Sequence, residues 1–415
     1  MATRLEDVDL FDPDAYLQGV PHDAFAKLRR EAPVYRHPRV GLPPFWAVTR
    51  YHDAVEVSRD WATFSSERKG ALLREPPEEA LETQRLMMLN MDPPRHAKLR
   101  GLVNKGFTPR IVNQLTPAIR GICAEILDAV SERGECDFVR EVAAELPLRV
   151  IAELLGIPRS DRHQVFEWSN TMIASDDPEW QRSPEESMSA AMAMYAYANE
   201  LALQRRDEPR EDLVSVLMQA EVDEGDPSGG RRLSEMEFDL FFLLLAVAGN
   251  ETTRNLISGG MLALIEHPDQ ARRLRGDPSL LEPAVEEMLR WVTPVMQFQR
   301  TAQRDTEIGG QRIAEGDRVA IYYVSANRDE AVFERPDRFD VGRSPNEHLT
   351  FGGGGPHFCL GANLARLEIR LMFEQLLDRL THIELNGPPR RLRSNFINGL
   401  KEMPVRFEPT SAVGA

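Results

Sequence analysis

The stretch FGGGGPHFCLG, residues 351–361, sets four glycines, a proline and a histidine directly before Cys359. Glycine loses more backbone freedom on folding than any other residue, so such a run implies close backbone approach, unusual dihedrals, or both. A phosphate loop would need Lys-Ser/Thr after the glycines, or a third glycine at dinucleotide spacing, and neither is present. Zinc would need more ligands than His357 and Cys359. A thiol–imidazole catalytic pair is poorly served by positions i and i+2 of one turn. What remains is a single thiolate ligand to the metal of a large cofactor. Backbone N–H groups of the glycines would point at the sulfur, and the positive end of the helix that follows would favour its anionic form. Gly361, just after the cysteine, is counted with the cofactor-binding residues. A glycine-rich turn around a buried free cysteine explains the stretch equally well.

A second stretch, AGNETT (248–253), ends the apolar run FDLFFLLLAVAG. Ala248 and Gly249 leave room for a flat cofactor and a diatomic gas beside a helix. Mid-helix glycine costs about 1 kcal/mol against alanine, which suggests a purpose. Glu251 and Thr252 add an acid and an alcohol, the groups needed to bring a proton to a bound oxygen atom. A small-residue packing notch beside a solvated glutamate is the plainer reading. A third stretch, EEMLR (286–290), puts Glu287 and Arg290 one turn apart. Alone, this is a surface ion pair worth a few tenths of a kcal/mol.

These residues need elements to carry them. The chain has 415 residues, enough for a large core, and its composition is that of a globular protein. A net charge of −16 argues against nucleic acid or an anionic membrane as partner. Three cysteines, Cys123, Cys136 and Cys359, are no disulfide framework, and the acidic N-terminus has no signal-like apolar core. Both point to the cytoplasm with no membrane anchor. Short strand-like pieces at 33–37 and 44–50 suggest a small sheet. Helical periodicity follows over 111–134, 148–158 and 183–209, and 221–232 reads as a loop. Ser234 and Glu237 have capping-box spacing, and no proline interrupts until Pro268. One long buried helix is therefore expected over 234–266. Strand-like alternation returns in QFQRTA and RVAIYYV, and a last helix starts near Leu360. No linker divides the chain, so it reads as one domain over 1–415, mainly α with a small β part.

FGGGGPHFCLGANLAR resembles the cysteine-loop signature of the cytochrome P-450 family, the haem-thiolate monooxygenases, and the other family motifs recur in order over nearly the whole chain. The resemblance implies the cytochrome P-450 fold and heme b (iron protoporphyrin IX), with Cys359 as the axial iron ligand. It makes the long helix the distal wall of the haem pocket, with Ala248 and Gly249 against the cofactor and Thr252 and Glu251 serving oxygen activation. It turns Glu287 and Arg290 into a buried structural network with an arginine further on, which ERPDRF supplies as Arg338. It assigns His96 and Arg100 of DPPRHAKLRGLV, with Arg300 and His357, to the haem propionates, because buried carboxylates need cationic or donor partners. Phe351 lies eight residues before the cysteine, one more than the commonest family spacing. That longer loop, AGNETTRN and RLRSNFINGLKEMPV resemble a bacterial branch that oxidises steroids and methyl-branched lipids.

The resemblance places substrate contacts in the loop around 71–89, at Met172 and Ile173, and at Val247, Val295, Phe298 and Ile397. These are mostly apolar, so the substrate should be a bulky apolar molecule read by shape. A steroid or methyl-branched isoprenoid lipid comes first, and a terpene or polyketide natural product second. With no dinucleotide fingerprint and no room for flavin domains, electrons should come from a ferredoxin and ferredoxin reductase. Arg95, Lys98, Arg100, Lys105 and Arg110, against Asp92 alone, could form a basic docking patch. A haem-binding sensor without turnover is the alternative of another class, and it would not need the Glu251–Thr252 pair.

Overall fold

The computed structural model of the chain describes residues 4–74, 78–173, 177–179, 183–219, 221–222 and 231–409. Its spine is the helix Glu235–Glu266, which is 32 residues long and so about 48 Å at 1.5 Å per residue. The capping box starts it as expected. Ser234 Oγ accepts from the Glu237 N–H at 3.2 Å, and the Glu237 carboxylate accepts from the Ser234 N–H at 3.0 Å. It stops at His267, before Pro268. Helices Glu145–Leu155, Pro184–Asp207, Leu281–Val292 and Ala362–Arg379 pack around it. Two glycines set the closest approach. A β-carbon on Gly259 would fall 2.8 Å from Val292, and one on Gly260 would fall 3.0 Å from Met288 and 3.2 Å from Phe373.

The main sheet runs in the order Val34–Arg39, Leu42–Val48, Arg318–Tyr322, Gln297–Ala302, Phe64–Ser65. Only the pairing of Leu42–Val48 with Arg318–Tyr322 is parallel. Strands Leu380–Leu385, Pro404–Pro409 and Glu135–Asp137 form a second sheet. A large apolar core fills the helical part, and two smaller ones lie under the sheet.

The helix expected over 111–134 is two helices, Pro109–Gln114 and Thr116–Ser131. Pro117 has no N–H to continue a helix but fits the first turn of a new one. The helix expected from 148 is longer. It begins with a π-turn at Val139–Ala143, continues as Glu145–Leu155, and closes on Gly156 at φ 74°. The loop expected over 221–232 holds a short antiparallel pairing of Glu221–Val222 with Arg231–Arg232, and residues 223–230 lie outside the described residues. Among the described residues no helix is long and apolar enough to cross a membrane.

Candidate active site

The glycines before Cys359 have two distinct jobs. Gly352, Gly354 and Gly355 hold φ of +96°, +89° and +75°, a region that side chains with a β-carbon rarely enter. Gly353 and Gly355 are pressed on the helix Tyr51–Arg59. Added β-carbons would lie 2.6 Å from Ser58 Oγ and 2.5 Å from the Ser58 carbonyl oxygen. The longer loop thus takes up its extra residue by docking on that helix, where Arg59 Nε donates to the Gly353 carbonyl. The turn then closes with the Cys359 N–H on the Phe351 carbonyl at 2.9 Å.

Cys359 keeps accessible surface although many protein atoms surround it. Burial pushes its thiol up. The Gly361 N–H and the charges of Arg100 and Arg366 oppose this without overcoming it. The Gly361 N–H and the two arginines thus act in the direction expected from sequence, against the pull of burial. A bound metal ion would make the thiolate, since coordination deprotonates a thiol outright.

Beside the cysteine loop the fold gathers His96, Arg100, Arg300 and His357. The rings of His96 and His357 meet at 4.3 Å, and His357 Nε2 lies 3.1 Å from Ser66 Oγ. Arg300 is buried, its guanidinium donating to the Gln299 carbonyl, and Arg100 donates to the Phe358 carbonyl. None of the four has a carboxylate partner among the described residues. Burial, then Arg100 and Arg300, brings His96 down to about 4. Burial, then Arg300, His96 and Arg100, brings His357 to about 2. Burial also lowers both arginines. Two guanidinium groups that depress two neighbouring imidazoles suit a ligand bearing two carboxylates. This fits the expected haem.

The long helix offers the opening its small residues promised. Ala248 is exposed in the middle of an otherwise buried helix, and Val247, Gly249 and Thr252 are half-buried beside it. Thr252 Oγ1 donates to the Ala248 carbonyl at 2.8 Å. Glu251 is buried and does not reach solvent. Its carboxylate takes hydrogen bonds from Arg254 and from Asn255 Nδ2, the latter at 3.0 Å.

Glu287 and Arg290 are fully buried and form a two-point ion pair, both bonds 2.8 Å. The arginine completing the network is Arg343, whose Nε donates to Glu287 at 3.0 Å. Arg338 was expected there, but the loop turns its side chain away and offers only its carbonyl oxygen, which accepts from Arg290 and Arg343. Arg290 also donates to the Asn327 carbonyl, and Asn327 Oδ1 accepts from the Leu349 N–H, two residues before Phe351. Sequence reasoning missed Glu286, which ties the same helix to the cysteine helix through Arg366 at 2.7 and 2.8 Å. Burial works against its ionisation, but Arg366 and His348 overcome this and bring the carboxyl to about 2. The Arg366 guanidinium sits over the Phe351 ring at 4.5 Å. Arg366 lies in the quoted cysteine signature, so the signal was present.

Three of the expected substrate residues come together. Val295 bridges Ile397, and the rings of Phe298 and Phe396 meet at 5.5 Å. Val247 joins from the long helix only as a half-buried residue. Ala71 is pinned to the same strand by the Gln299 N–H, whereas residues 75–77 and the side chains of Met172 and Ile173 lie outside the described residues. The basic patch is thinner than expected. Arg95 pairs with Glu237 at 3.4 Å, Arg100 turns to the cysteine loop, and the Lys105 side chain lies outside the described residues. Lys98 and Arg110 remain exposed.

A family model described as Cytochrome P450 matches residues 13–407. Steroid C26-monooxygenase of Rhodococcus jostii is 45% identical over 418 residues, covering 98% of this chain and 86% of the relative. Methyl-branched lipid omega-hydroxylase of Mycobacterium tuberculosis is 42% identical over 394 residues, covering 92% and 90%. The structure of a Mycobacterium marinum cytochrome P450 in complex with pseudoionone superposes with a TM-score of 0.87 at 43% identity, covering 93% of this chain and 94% of that one.

Proposed function

The chain belongs to the cytochrome P450 family and is a monooxygenase, and from that premise we propose that it hydroxylates a steroid or a methyl-branched isoprenoid lipid near a chain end. The observation that carries the substrate class is the apolar wall that Val295, Phe298 and Ile397 build with Phe396. Apolar side chains of this kind select by shape and burial. The two named relatives act on this class of molecule.

We read the chain as one haem domain holding heme b. Cys359 would ligate the iron, and His96, Arg100, Arg300 and His357 would take the propionates. Haem supplies the activation of dioxygen, one oxygen atom entering a C–H bond of the substrate and the other leaving as water. The chain's part is positional. Ala248 and Gly249 keep the distal face open. With its proton committed to the Ala248 carbonyl, Thr252 Oγ1 presents lone pairs to that space and can hold a donor such as water. Glu251, whose orientation Asn255 and Arg254 fix, would relay protons toward that space. This acid–alcohol pair favours turnover over a sensor role. Electrons would come from a ferredoxin and its reductase in the cytoplasm, docking near Lys98 and Arg110.

The test is a titration of the haem spectrum with cholestenone and with methyl-branched fatty acids. A low-to-high-spin shift with one of them supports the reading. No shift with either, beside a clear shift with a terpene or polyketide, would move the assignment to natural-product tailoring.

A further inference from the structure

Behind the long helix, apart from the cysteine loop, lies a cavity of about 250 Å³ walled chiefly by three segments distant in sequence, with Trp291, Val292 and Arg328 completing it. They are residues 18–22, the helix face carrying Asn255, Gly259 and Glu266, and the turn 398–400 with Arg391. Its lining is rich in nitrogen donors without partners. Arg391 makes no ion pair or hydrogen bond among the described residues, and its guanidinium packs 3.6 Å from where a β-carbon on Gly19 would stand. Arg328 also lines the cavity and is 5% exposed. Its Nη1 pairs with Asp337, its guanidinium covers the Trp291 ring at 3.7 Å, and its Nε has no partner. His22 Nδ1 is buried without a partner as well. Two acceptors also face this space, Glu266 at the exposed rim and the unpartnered Oδ1 of Asn255 at the inner end.

The charges do not balance within the protein. Arg29, Arg290 and Arg328 each have an acid at ion-pair distance, Glu330, Glu287 and Asp337. Arg391 has none, and Glu266 acts on it only from a distance. Burial and then Arg328, Arg29, Arg391 and Arg290 hold His22 well below its ordinary value, so positive potential fills this region. Arg391 is half-buried, and a cationic donor withdrawn from water without a partner is costly to leave unmatched.

We propose that this cavity is a second ligand site, separate from the haem, which binds a small oxyanion through Arg391, Arg328 Nε and His22. Carboxylates and phosphates share the required chemistry, since both accept from guanidinium N–H groups at two points. A hydroxyl on the ligand would also satisfy Asn255 Oδ1. The occupant would cross-link the N-terminal segment, the long helix and the turn next to Ile397. A smaller cavity joining Arg391, Ile397 and Asn398 adjoins it, so occupancy would bear on the apolar wall.

The experiment is a calorimetric and thermal-shift titration of the holoenzyme with inorganic phosphate, with citrate and with sodium chloride, at fixed pH and ionic strength. Saturable one-site binding of phosphate or citrate, with a rise in melting temperature that chloride does not give, is the expected result. The more effective anion tells phosphate chemistry from carboxylate chemistry. Arg391→Gln should weaken that binding about 10- to 100-fold, the loss of one charge-assisted contact. Arg391→Lys should restore part of it, and Arg110→Gln should leave it unchanged. Absence of saturable oxyanion binding, or equal affinity in Arg391→Gln, would overturn the proposal. The reduced carbon monoxide spectrum, read on each variant, reports separately on the haem site, so failure here is distinguishable from failure of the monooxygenase reading.

Discussion

Two buried charged regions flank the cysteine loop, and they are built on opposite terms. At Glu287 the acid receives Arg290 at two points, Arg343, Asn346 Nδ2 and the Asp340 N–H. Every charge there is answered by the protein. At His96, Arg100, Arg300 and His357 there are donors and, among the described residues, no acid at ion-pair distance, Asp92 acting on Arg300 only from further off. A closed network of buried charges holds a fold, because removing one partner strands the others. An open one is a receptor, because what it lacks must come from outside. The same residue types, Arg and His, mean structure in one place and binding in the other, and the difference lies in the bookkeeping of partners.

Breaking the closed region should have the largest effect. Glu287→Ala leaves Arg290 and Arg343 facing each other without an acid, at a cost of about 3–5 kcal/mol. We expect little or no folded haem protein, measured by thermal unfolding and by the reduced carbon monoxide band. A variant melting within a few degrees of wild type would erase the distinction. The open region should respond in the opposite sense. Arg300→Leu removes a buried charge, so the haem-free protein should be as stable or more so, while haem affinity falls by about 10- to 100-fold, one charge-assisted contact. Competition for haem with apomyoglobin measures this.

The third prediction uses pH. His96 and His357 are held neutral in the fold, at about 4 and about 2, whereas the unfolded chain takes up protons near 6.5. The unfolded state therefore binds more protons below that point. Their stabilisation is complete above about 6.5 and is lost as pH falls, at up to about 1.4 kcal/mol per unit for each proton. The loss runs to about 4 for His96 and further for His357. Urea unfolding of haem-free protein between pH 7 and pH 4.5 should show this slope, and His96→Gln should reduce it. Bound propionates would flatten it, and an equal slope with haem present would count against their placement here.

The smallest effect on the fold belongs to Thr252→Ala, outside both regions. Its stability should stay within about 0.5 kcal/mol. NAD(P)H and oxygen should still be consumed, but less product and more hydrogen peroxide should appear per NAD(P)H. Wild-type coupling in this variant would remove Thr252 from oxygen activation.

The sequence made the closed region's helix legible but not its partners. Glu286 and Glu287 are adjacent acids, and only the phase of the helix decides which one meets Arg290 and which meets Arg366. Arg338 and Arg343 stand five positions apart, and the loop path alone selects Arg343. The long helix was readable from end to end because a capping box and a proline bracket it. Asn255 gave no signal. Its importance comes from Glu251 on one side and a cavity on the other, and that cavity exists only after residues 18–22 and 398–400 have met. The pull of burial on Cys359 left no trace in the sequence for a related reason, since local N–H groups can be read from a motif and desolvation cannot.

The docking of the glycine turn on the helix Tyr51–Arg59 has a consequence in time. Arg59 and Gly353 are 294 residues apart in the chain. Contacts of such separation form late, because the intervening chain must be ordered before they can be rewarded. The turn before Cys359 therefore sets only after the helix Tyr51–Arg59 is in place to receive it. A growing or half-folded chain would present Cys359 on a loose glycine tether with no fixed aim. The cysteine turn thereby takes its final shape only once the scaffold around it is built.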